Sequence, residues 1–269
     1  MILSTLSHRS SRISWLTRRA LTTTYYDSQS GLHVPVHNDG EISAFVDLGS
    51  DFDAFATVES LLSALQEKFG TLKSAGIQGA ALPPLNLLLE KNETLVVAAS
   101  LFPHFNIFVP SRLSPKEITS YPDNINLMFQ YNDDSTLSPV SLSDCVANGT
   151  KTTIALLDSC YYRRDPIEVA NGVASLIDDT GGGDFVWLAE EMPRAASAEE
   201  IIKLCEELSY LDVSGPTMKS RLVVDLRHSG AEETAEECML MGVNKFVVDE
   251  QRLEWLQDMV DENGKELKR

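Results

Sequence analysis

The sequence predicts an α/β protein: a single (β/α)8 TIM barrel behind an N-terminal targeting segment. Three observations carry this expectation. After residue 40, short apolar runs alternate with helix-spaced runs about eight times, the signature of a parallel sheet covered by helices. The connections are short and marked by Gly, Pro or helix-capping residues. No G-x-G-x-x-G and no Walker A sequence occurs, so the rival open doubly wound sheet lacks its best positive sign.

The chain begins with a segment unlike the rest. Residues 1–26 hold Arg9, Arg12, Arg18 and Arg19, several Ser and Thr, and no acid before Asp27. Arg-rich, Ser-rich and acid-poor is the composition of a mitochondrial transit peptide, and the expected location is the matrix. Residues 27–40 read as a polar linker, and the barrel is assigned to 41–269.

Ile42 to Leu48 is the first strand candidate. Thr57 to Ala75 sets Val58, Leu61, Leu62, Leu65, Phe69 and Leu72 at helical spacing and stops at Gly76. Ile77 to Leu82 reads as a strand and Pro83 to Lys91 as a short helix. Leu95 to Leu101 and Asn106 to Val109 are both β-rich, and only one of them belongs to the main sheet. Ser114-Pro115-Lys116-Glu117 opens a helix with Pro in its first turn. Ile125 to Gln130 is a strand, and Ser141 to Ala147 a short helix.

The second half is plainer. Thr152 to Leu157 is a strand, and Asp165-Pro166 opens a helix to about Asp179. Thr180-Gly181-Gly182-Gly183 is a turn, and Phe185 to Ala189 a strand. Ser197 caps a helix with Glu200 three residues on, running to about Tyr210. Leu222 to Leu226 is a strand, Ala231 to Met241 a helix stopped by Gly242, and Lys245 to Val248 a strand. A terminal helix runs from Glu250 to about Leu267.

Composition excludes some functions. The net charge of −18 repels phosphates and argues against a nucleic-acid partner. No apolar run reaches the roughly 18 residues of a membrane span. The four Cys, at 145, 160, 205 and 238, form neither a C-x-x-C pair nor a disulfide framework. The expected partner is a small molecule, an acyl-CoA among the candidates, with self-association left open.

In a parallel α/β protein chemistry gathers where strands end. Those positions carry Asp47 and Asp51, Ser100 and His104, Asn132 and Asp133, Asp158 and Cys160, Glu190 and Glu191, then Asp225, Arg227 and His228. Carboxylates around a barrel mouth suit a hard divalent cation, Mg²⁺ or Mn²⁺, and Asp47, Glu190 and Asp225 are the ligand candidates. His228 is the acid/base candidate, with Asp51 beside it as a catalytic carboxylate. Arg163 and Arg164 could hold a phosphate or carboxylate of the substrate; a solvated loop explains them equally well. Strand ends are polar in any such fold, and no pair here is as specific as H-E-x-x-H.

Residues 150–250 resemble the hydroxymethylglutaryl-CoA lyase family, within the metal-dependent lyases and acyl-CoA synthases built on (β/α)8 barrels. The order of features is similar: Ser159-Cys160-Tyr161-Tyr162, Asp165-Pro166 and a helix, Phe185-Val186-Trp187-Leu188-Ala189, then Leu222-Val223-Val224-Asp225-Leu226-Arg227-His228-Ser229-Gly230 and a helix ending Met241-Gly242-Val243. The resemblance implies a lyase that cleaves or forms a carbon–carbon bond beside a thioester or other carbonyl, with a divalent cation.

The sequence also departs from that family. Asp225 and Arg227 stand where the family has its two metal-binding His, and Arg has no lone pair to offer a metal. No Arg occurs between Arg19 and Arg112, so the Arg-Asp pair of the first strand is reduced to acids in Asp47-Leu48-Gly49-Ser50-Asp51. Phe246-Val247-Val248-Asp249 runs on with no Gly-rich Cys loop. A catalytically degenerate barrel, kept as a regulatory or structural mitochondrial subunit, is therefore the alternative expectation.

Overall fold

The computed structural model describes residues 24–27, 32–35, 43–47, 57–82, 89–110, 121–131, 139–157, 164–189, 198–226, 231–248 and 255. The chain divides into two compact units, Met1–Gly40 and Glu41–Arg269. In the first unit, β1 (Thr24–Asp27) and β2 (Leu32–Pro35) pair antiparallel, Tyr25 opposite Val34. These strands fall at the end of the expected leader and inside the expected linker. Aromatic and β-branched residues within those short runs suit a hairpin.

In the second unit eight parallel strands close on themselves. They are β3 (Ser43–Asp47), β4 (Gly79–Ala81), β5 (Asn106–Pro110), β6 (Ile125–Gln130), β7 (Lys151–Leu157), β8 (Phe185–Ala189), β9 (Leu222–Asp225) and β10 (Lys245–Val248), with β10 paired back onto β3. Between them run α1 (Val58–Ser74), α2 (Leu89–Leu101), α3 (Pro139–Ala147), α4 (Pro166–Thr180), α5 (Ala198–Tyr210), the short α6 (Met218–Arg221) and α7 (Ala231–Leu240). This is the (β/α)8 barrel the alternation predicts. The expected helices at Ser114 and after Glu250 lie outside the described residues, apart from Trp255, which is helical.

Two expectations before β5 differ: the helix expected to end at Lys91 runs on to Leu101. Leu95 to Leu101 is not a strand but the second half of α2, and Asn106–Pro110 is the strand. Leu95, Ala98 and Ala99 are buried while Val97 and Leu101 are exposed, a helical face rather than a two-residue alternation. Asn124 fixes the end of this helix: its amide donates to the carbonyls of Ala99, Phe102 and Phe105 at 3.0, 2.9 and 3.1 Å.

The other helices follow local chemistry. Thr57 and Ser60 form a reciprocal capping box on α1. Asp165 caps α4 by accepting from Ile167 N–H at 3.0 Å, Pro166 occupies the first turn, and Gly181 ends the helix at φ 68°, a conformation that favours glycine.

Strand residues alternate between two cores. Val46, Ala80, Ile107, Leu127, Ile154, Val186, Val224 and Phe246 pack outward with the helices, while Phe45, Ala81, Phe108, Trp187, Val223 and Val247 pack inside the barrel. Followed from strand to strand, the register drifts by eight residues over the closed circuit, the shear of a (β/α)8 barrel.

That drift sorts the inward positions into layers drawn from alternate strands. From the amino end they are Gly79, Asn126, Phe185 and Lys245; then Phe45, Phe108, Thr153 and Val223; then Ala81, Met128, Trp187 and Val247. Ring contacts agree with this stacking: Phe45 and Phe108 centroids are 5.1 Å apart, Phe108 and Phe185 5.3 Å, Phe108 and Trp187 5.1 Å. Gly79 makes room for them, because an added Cβ would meet Phe45 Cδ1 at 2.8 Å and the Asn106 carbonyl.

Candidate active site at the carboxyl end of the barrel

Above the third layer the register places a fourth: Asp47, Pro110, Ala155 and Asp225. By backbone register, two of the three expected cation ligands, Asp47 and Asp225, fall at one level, next above the packed barrel core. Their strands, β3 and β9, are separated only by β10, about 10 Å across two strand spacings. Asp225 is reached by alternation: Leu222 and Val224 face the helices and Val223 faces inward, so Asp225 is the next inward residue on β9. It is 1% exposed. Leu226 N–H donates to the Val247 carbonyl at 2.8 Å, which holds the chain to β10 just beyond it.

A carboxylate buried this deeply is stable only with donors or positive charge around it. A hard oxygen donor of this kind suits Mg²⁺ or Mn²⁺; the side chain of Asp47, the other expected ligand at this level, lies outside those described. Among the described residues no three His, Cys, Asp or Glu side chains cluster as a metal site. The third expected ligand, Glu190, lies outside the described residues, as do His228, Asp51 and Arg163. Arg164 is described: it is exposed and precedes the Asp165 cap of α4, on the side where β7 ends.

Ser100 and His104 do not belong to this end. Because Leu95 to Leu101 is helical, Ser100 lies in the last turn of α2 and His104 between α2 and the start of β5, at the amino end of the barrel. Ser100 Oγ donates back to the Val96 carbonyl at 2.8 Å, and His104 is exposed.

The amino end is built for rigidity. Arg221, 5% exposed, donates to the carbonyls of Gly183 at 2.8 Å, Pro216 at 3.0 Å, Gly182 and Ser214. Asp178 accepts from Ser214 N–H at 2.9 Å; those hydrogen bonds, with Arg221 nearby, hold its carboxyl below the usual range. Asp184 accepts from Thr152 N–H at 2.8 Å, and Lys245 Nζ donates to the Ser220 carbonyl at 2.7 Å. In this fold such a face serves stability and the opposite face chemistry.

Three polar residues inside the barrel escaped the sequence reading: Asn126, Thr153 and Trp187. Asn126 Oδ1, Thr153 Oγ1 and Trp187 Nε1 are buried and have no hydrogen-bond partner among the described residues. Asn and Thr within a β-rich run look like ordinary strand residues, and only the register shows that these three line the interior.

No protein-family model matches the chain, and no curated protein matches its sequence. Among solved structures it is similar to the truncated form of 3-deoxy-D-arabino-heptulosonate 7-phosphate synthase from Thermotoga maritima. The TM-score is 0.53 at 12% identity, over 90% of this chain and 91% of that one. The likeness is one of fold. It agrees with the closed barrel, and its partner in the comparison is a synthase; no family or sequence match supports the lyase resemblance of residues 150–250.

Proposed function

We propose that the carboxyl end of the barrel is a cation-dependent site acting on a carbon–carbon bond beside a thioester or other carbonyl. The observation that carries this reading is the shared layer of Asp47 and Asp225 directly above the packed core. A strand-end acid in a loop would be solvated, whereas Asp225 is buried where a small molecule entering the barrel would come to rest. Asp47, Asp225 and Glu190 would hold Mg²⁺ or Mn²⁺, which supplies Lewis acidity to a carbonyl when bound. His228, three residues beyond Asp225, is the acid/base, with Asp51 in support. Arg163 and Arg164, which follow β7, would receive a substrate carboxylate or phosphate. The Arg-rich leader supports a place in the mitochondrial matrix.

The test is direct. Calorimetric titration of Mn²⁺ into the full chain should show saturable binding that Asp225→Asn weakens at least about tenfold, the loss of one charged ligand. Equal binding by wild type and variant would defeat the reading.

A second reading has its own observation. Arg227 replaces a family His, and the first-strand Arg has no counterpart. A non-catalytic barrel that serves as a subunit of another mitochondrial enzyme would bind a protein partner and turn over nothing. Mn²⁺ binding without turnover of any acyl-CoA offered would favour it.

A further inference from the structure

Asn126, Thr153, Trp187 and Asp225 lie on consecutive strands β6, β7, β8 and β9. Each stands one layer higher than the last, because Met128 pairs Thr153, Ala155 pairs Trp187 and Trp187 pairs Val223. The first three each carry a buried polar atom without a partner among the described residues, and the fourth is a buried carboxylate at the carboxyl end. A buried polar atom left unpaired is costly, so each such group asks for an explanation. For Trp187 the packing is specific. The residue is 2% exposed, and its ring meets Phe108 at 86°. Asp225 is the next inward position on the neighbouring strand, a diagonal of roughly 7–8 Å. The register partner of Trp187 on β7 is Ala155, in the same layer as Asp225, so the inward residues of its two neighbouring strands at that level are a methyl group and a carboxylate.

We propose that the indole N–H of Trp187 forms the floor of the mouth and donates a hydrogen bond to an oxygen atom of the bound substrate. This rests on the reading of the mouth as a site for a carbonyl compound. The indole is a donor only; it needs an acceptor, and the substrate class supplies one. A fixed neutral donor gains value as negative charge collects on that oxygen, and the chain has no Arg from 20 to 111 to do the same from the first strand.

The experiment uses the ¹⁵N-labelled full chain and follows its three indole signals. Trp187 is identified by the signal missing from Trp187→Phe, or by elimination using Trp15→Phe and Trp255→Phe should that variant not fold. The chain is saturated with Mg²⁺ and titrated with oxalate, a planar dianion able to fill a cation's open positions and accept a further hydrogen bond. The expected result is a saturable downfield shift of the Trp187 signal. Trp187→Phe should bind oxalate roughly tenfold more weakly, the scale of one hydrogen bond to a charged group, while keeping wild-type Mg²⁺ affinity. A Trp187 signal that stays upfield and unmoved would place the N–H on the Phe108 ring and overturn the proposal, as would Mg²⁺ binding without oxalate binding. If Mg²⁺ itself does not bind, the reading of the mouth falls and this inference falls with it.

Discussion

At the scale of single residues, the buried charges divide by face. Arg221 meets four backbone carbonyls and ties the turn at Gly182 and Gly183 to the segment at Ser214 and Pro216. Arg221→Ala leaves those acceptors without a donor in a buried place, and denaturant unfolding should show a loss of about 2–4 kcal/mol. Arg221→Lys should recover only part of it, since an ammonium cannot reproduce the planar fork. Cys145 gives a pH-dependent counterpart. Burial, with Asp144 beside it, pushes its thiol from 9.0 up to about 11. The fold favours the neutral thiol, so this contribution is fully present below about pH 9 and is lost as pH rises toward 11. The stability advantage of wild type over Cys145→Ala should therefore be flat from pH 7 to 8.5 and shrink above pH 9; an advantage that grew with pH would contradict this.

At the scale of elements, local signals predicted best where chemistry is local. Asp165-Pro166 and Gly181 bound α4 because a cap, a first-turn Pro and a left-handed stop act within a few residues. Asp165→Ala should cost about 1 kcal/mol by thermal or denaturant unfolding, with the barrel otherwise intact. The failure at Leu95 to Leu101 has the opposite cause. Leu-Val-Val-Ala-Ala-Ser-Leu satisfies either period, and packing of Leu95, Ala98 and Ala99 into the outer core decides for the helix. Read as a strand, the same run would put Ser100 and His104 at the carboxyl end; as a helix it leaves them at the amino end. Element type therefore determines the side of the molecule on which a residue can act.

At the scale of the whole molecule, the closed barrel was legible from alternation alone, since eight strand–helix units leave few arrangements. The site was legible only in part. Asp225 could be found because it ends an apolar strand, and Asp47 for the same reason. That the two share a layer depends on the eight-residue shear, a property of the closed sheet that no local run of sequence contains. Trp187, Thr153 and Asn126 were missed for the same reason: each lies on an inward face that exists only after closure.

Crystals of the chain soaked in Mn²⁺ test the central claim most directly, through the anomalous signal of the metal. The account predicts one strong peak at the carboxyl end of the barrel, at roughly 2.2 Å from carboxylate oxygens of Asp47 and Asp225, absent from Asp225→Asn crystals. A mouth without a peak, or a peak bound to other residues and unchanged in that variant, would contradict it.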